Sequence, residues 1–128
     1  MSESIGHFSL WGDFQVEEIT AALGLTPSWV HRKGEVLGGA NSAAKVSTWD
    51  INCPAELGMY EQVEFLLRTL SPRYDALQRL THRFAAAFNI SASGQIEVVT
   101  FKPEILYQIA DLNITLNLFI GGDVDDAN

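Results

Sequence analysis

The chain has a single cysteine, Cys53, among 128 residues, so no disulfide can form within it. Positive charge is also scarce. Eight Lys and Arg stand against sixteen Asp and Glu, a net charge of −8. Neutralising phosphates takes a surplus of bases, so neither nucleic acid nor an anionic membrane is an expected partner. No apolar run approaches the length of a membrane span. The start, Met1-Ser2-Glu3-Ser4, lacks the basic-then-apolar pattern of a secretory leader, and the expected location is the cytoplasm. His-x-x-x-His spacing and clustered cysteines are missing. Asp123-Val124-Asp125-Asp126 begins like a calcium loop but lacks its later glycine and glutamate. No metal and no cofactor are therefore expected.

What is present is ample apolar content, 47% of residues, enough for one domain with its own core. Residues 5–11 alternate as a strand, with Phe8 and Leu10 on one face and His7, Ser9 and Trp11 on the other. Asp13 is the expected cap of a helix carrying Val16, Ile19 and Leu23, which Gly24 ends. Residues 26–44 read as a long loop. Residues 45–53 read as a strand with Trp49, Ile51 and Cys53 on one face and Asp50 on the other. Two helices follow, broken at Ser71-Pro72, with Ser71 as the expected cap of the second. Residues 84–92 and 96–100 read as a hairpin, Pro103 opens a short helix, and 112–120 alternate as the last strand. The order β-α-β-α-α-β-β-α-β predicts one α+β domain over 1–128. Its sheet has about five strands, mostly antiparallel or mixed, with helices on one face. Residues 121–128 are expected to fray as an acidic tail.

Several segments in this order resemble a known family. They are Ile19-Thr20-Ala21-Ala22-Leu23-Gly24-Leu25-Thr26-Pro27-Ser28, then Arg32-Lys33-Gly34-Glu35, the strand residue Trp49, and the helix from Glu61 to Leu67. The Leu70-Ser71-Pro72 break and the run from Pro103 to Leu112 complete the set. The order and spacing are similar to a bacterial family catalogued as domain of unknown function 4279. The resemblance covers nearly the whole chain. It implies a small single-domain α+β protein and carries over no catalytic residue. Some small acidic bacterial proteins act as immunity proteins against toxins, so the resemblance leaves room for that role.

The best site candidate is Trp29-Val30-His31-Arg32-Lys33-Gly34-Glu35. His31 can titrate, Arg32 and Lys33 can hold an anion, and Trp29 can stack. The bland alternative is a solvated loop with Trp29 pinned to the core. Asp50 is placed to pair with Arg32 or Lys33 if its face is open. Trp49 reads as core, and Cys53 as a small buried hydrophobe rather than a nucleophile. Arg68, Arg73, Arg79 and Arg83 could form an anion-binding strip, but such arginines more often cover the outer faces of helices and pair, here with Glu61, Glu64 or Asp75.

Two functions follow. The first is a non-enzymatic protein-binding module, immunity-like in its concrete version. A basic protein partner would be steered by the acidic charge and anchored on Trp11 or Trp29. The alternative is a small-ligand sensor or enzyme with a pocket under loop 26–44, lined by His31, Arg32, Glu35 and Asp50. A homo-oligomer joined through the sheet is a third arrangement.

Overall fold

The computed structural model describes residues 6–36, 43–92 and 98–120. Its five strands are β1 (His7–Gly12), β2 (Trp29–His31), β3 (Ser47–Asn52), β4 (Ala85–Ala92) and β5 (Thr115–Ile120). Its helices are α1 (Val16–Leu23), α2 (Met59–Leu70), α3 (Tyr74–Thr81) and α4 (Pro103–Asp111), with a 3₁₀ turn at Ser71–Arg73 between α2 and α3. The strands form one sheet in the order β2-β3-β1-β4-β5. All neighbours are antiparallel except β4 and β5, which run parallel. The expected α+β domain with a mixed five-stranded sheet is the fold observed.

Period-two alternation gives the sheet two different faces. Phe8, Leu10, Trp49, Ile51, Ala86, Phe88 and Ile90 are buried on one face. They form a single core with Ile19 and Leu23 of α1, Val63, Leu66 and Leu70 of α2, Leu77 of α3 and Ile109 of α4. Phe8 sits at the centre, edge-on to both Trp49 and Phe88. Fully burying each large apolar side chain contributes about 1.5–3 kcal/mol, so these rows hold the helices to the sheet.

Helix α1 ends as expected. Gly24 takes the left-handed conformation at φ 66°, and its N–H donates to the Thr20 carbonyl. Its start differs. Gln15, not Asp13, is the cap, and its N–H donates to the Glu18 carboxylate at 3.4 Å. Asp13 instead faces Lys33. The break at Ser71-Pro72 is real, but Ser71 does not cap α3. Its hydroxyl donates backwards to the Leu67 carbonyl at 2.6 Å, closing α2. Gln62 lies among the apolar residues of α2 and is buried. Its carboxamide donates to the carbonyls of Leu57 and Ser91 and accepts the Ser91 N–H. A polar residue on an apolar face is stable only with such partners.

Two strand expectations change. Residues 98–100 have no regular structure, so the second arm of the expected hairpin is not seen there, and 93–97 lie outside the described residues. The chain leaves β4, forms α4 and returns as β5 alongside β4, a parallel β-α-β connection. The fifth strand of the sheet is β2, three residues inside the segment read as a loop. The last strand begins at Thr115 rather than Leu112. Leu112 and Ile114 are buried ahead of it, with Asn113 between them at φ 60°. Leu118 and Ile120 are exposed because β5 is an edge of the sheet. The acidic tail, 121–128, lies outside the described residues.

Candidate functional site

The four helices cover the core face of the sheet; among the described residues no helix packs on the other. Register decides which side chains meet on that open face. One row runs Trp29, Asp50, Ser9, Ala87, Thr115 across all five strands. A second runs His31, Thr48, Trp11, Ala85. A third runs Asn52, His7, Asn89, Asn117.

The open face is polar in its middle and aromatic at its rim. Asn117 Nδ2 donates to Asn89 Oδ1 at 3.0 Å, and Asn89 Nδ2 lies 3.2 Å from His7 Nε2. Trp11 is 36% exposed and Trp29 46% exposed; Asp50 (9%) is buried beside Trp29 in its row, and His31 (8%) is buried in the row that reaches Trp11 through Thr48. Trp29 leans on the His31 ring, with centroids 5.7 Å apart. Trp29 is therefore not pinned to the core; it stands on the open face beside His31. Residues two apart on a strand share a face, so Trp29 and His31 point together once β2 is extended.

Burial pushes the Asp50 carboxyl above the usual carboxylate range, with the Ser9 hydroxyl and the His7 ring opposing the shift. Asp50 Oδ1 and His31 Nε2 are buried without a hydrogen-bond partner among the described residues. Glu35 Oε1 lies 3.6 Å from His31 Nε2, beyond hydrogen-bond reach. An unpaired buried polar atom is costly, which marks both as points where a ligand group would gain by pairing.

The basic residues of the candidate segment are not part of this arrangement. Arg32 Nη1 binds Glu17 at 2.7 Å, and Lys33 Nζ binds Asp13 at 3.1 Å. Glu17 is held below the usual carboxylate range, first by a backbone hydrogen bond and then by Arg32. The Arg32 N–H donates to Glu35 Oε1, and the Lys33 N–H donates to Ser47 Oγ. The turn Arg32 to Glu35 is thereby strapped to the start of α1. The expected pairing of Arg32 or Lys33 with Asp50 is absent, because Glu17 of α1 holds Arg32 and Asp13, just ahead of α1, holds Lys33. The structure places Trp11, Trp29, His31 and Asp50 of the candidates on one sheet face, with Glu35 beside His31, and turns the Arg32 and Lys33 side chains to Glu17 and Asp13.

Sequence reading left His7, Asn89 and Asn117 out of the site. The available signal was their strand phase, since each falls opposite the core residues of its strand. Cys53 is buried, and its thiol donates towards the Gln62 carbonyl at 3.6 Å. Burial pushes the thiol up to about 12, far from a working nucleophile. Among the described residues no group of three or more His, Cys, Asp or Glu is placed to hold a metal ion. No helix among them is long and apolar enough to cross a membrane.

The family model described as Domain of unknown function (DUF4279) matches residues 3–121, nearly the whole chain. The protein belongs to that family. No curated protein and no solved structure matches it.

Proposed function

We propose that the protein is a non-catalytic binding module that presents the open face of its sheet to a basic partner protein. The observation that carries this is the exposed pair Trp11 and Trp29 on one sheet face, with Asp50 in register beside Trp29 and its Oδ1 buried without a hydrogen-bond partner among the described residues. The two exposed tryptophans supply contact area and cation–π attraction for a Lys or Arg side chain, and the Asp50 carboxyl beneath Trp29 adds acidic character to that face. The chain's net charge of −8 would steer a basic surface towards it. The internal pairing of Arg32 with Glu17 and Lys33 with Asp13 supports the same choice, since it occupies the nearby cations that would favour an anion. An immunity-like blocker of a basic toxin is the concrete version of this role.

The test is affinity capture with tagged wild-type protein and the Trp11→Ala/Trp29→Ala double variant, at low and moderate salt. The reading expects one stoichiometric basic protein, bound by wild type, weakened by salt and lost in the double variant with its fold intact. Capture that is indifferent to both tryptophans overturns it.

A further inference from the structure

The helix layer holds a second feature, on the side of the sheet away from the open face. Between α1 and α3 lies a cavity of about 470 Å³. This falls within the size range of small-molecule sites. Its floor is apolar, built from Ile19 of α1, Leu80 of α3 and the Phe84 ring. Its mouth carries Arg79, His82 and Arg83, with Glu18 across from them on α1.

The mouth forms where α3 ends. Arg79 stands in the last turn of α3, and His82 and Arg83 stand in the turn that closes the helix, where the N–H groups of Arg83 and Phe84 both donate to the Leu80 carbonyl. The chain has only eight Lys and Arg, and two of them meet here. Arg32, Lys33 and Arg68 all have carboxylate partners. Among the described residues Arg79 and Arg83 have none within ion-pair distance. Arg83 is held over the Phe84 ring, 4.8 Å from its centroid, so the charge stands at the edge of the apolar floor. The expectation that these arginines pair along the helices holds for Arg68 with Glu64 only. Arg73 donates to the Leu23 carbonyl.

We propose that this cavity binds a small organic monocarboxylate with an apolar body. Two guanidinium groups match the planar carboxylate, while Ile19, Leu80 and Phe84 take the apolar part. Glu18 at the mouth and the overall negative charge disfavour a dianion, which limits the ligand to one charge. The site is separate from the open face and does not depend on the protein-binding reading.

The test is a two-dimensional ¹⁵N NMR titration of the full chain with 4-phenylbutyrate, its uncharged amide and phenyl phosphate. The proposal expects saturable shifts with 4-phenylbutyrate, centred on amides of α1 and α3. It expects binding weaker by about tenfold or more for the amide and for the Arg79→Gln/Arg83→Gln variant, the size of one lost charge-assisted pair. Phenyl phosphate should bind more weakly than the carboxylate. Ala22 lines the cavity from the exposed side of α1, so Ala22→Phe fills it with the charges left in place and should abolish binding. No saturable shift with 4-phenylbutyrate, shifts centred elsewhere, or equal binding by the amide or by Ala22→Phe would overturn the proposal.

Discussion

The indole N–H of Trp49 donates to the hydroxyl of Thr20 at 3.0 Å, joining the middle of β3 to α1 across the core. Trp49 is fully buried, so its one polar atom has this partner in place of water. Thr20→Val keeps the shape and removes the acceptor. It should destabilise the protein by about 1–3 kcal/mol, the cost of an unsatisfied buried donor. Thr20→Ser should retain most of that stability. Urea unfolding of the three proteins compares them directly.

Gln62 is the polar counterpart within α2. Its carboxamide holds the Leu57 carbonyl and both backbone groups of Ser91, tying the helix start to the end of β4. Gln62→Leu should cost about 3 kcal/mol or more, because several backbone groups lose partners at once. Gly6→Ala should act on the same contact, since a methyl there would run into the Gln62 carboxamide. Unfolding midpoints for the two single variants and the double variant would show the coupling as non-additive losses.

Asp50 makes stability depend on pH with a definite sign. Its carboxyl is raised in the folded protein above its ordinary value of 3.8. The folded state therefore holds the proton more tightly than the unfolded chain. Stability from this group is present below 3.8 and is lost as pH rises through the raised folded value. Asp50→Asn removes the dependence. Relative to wild type, the variant should gain stability as pH rises across that window, measured by denaturant unfolding at several pH values.

Cys53 should be silent towards thiol reagents in the folded state. With its thiol pushed up to about 12 and the side chain buried, almost no thiolate forms at neutral pH. Ellman's reagent should react stoichiometrically in denaturant and hardly at all without it. Rapid labelling of the native protein would contradict the burial described.

Much of this arrangement was legible in the residues themselves. The apolar stripe of Val16, Ile19 and Leu23, the Gly24 stop, the break at Ser71-Pro72 and the core faces of β1, β3 and β4 are local patterns. Each depends on residues within a few positions of one another, and period and turn chemistry encode them. The polar phase of β1 likewise placed His7, Ser9 and Trp11 together before any partner strand was known.

The rest depended on contacts between segments far apart in the chain. β2 is three residues long, too short for any periodic signal, and exists because β3 offers it a pairing edge. The alternation of Leu116, Leu118 and Ile120 shows a strand but not that it lies at an edge, where Leu116 is only half-buried and Leu118 and Ile120 stay exposed. Charge pairing was decided the same way. Arg32 and Lys33 had several acids as possible partners, and folding placed Glu17 and Asp13 nearest. The residue types thus determined the elements and their buried faces, because those are short-range preferences. Only the tertiary structure decided that Asp50 would be buried beside Trp29, with His31 buried on the same sheet face, and that Arg79 and Arg83 would line an apolar cavity, because sheet register and helix packing set those distances.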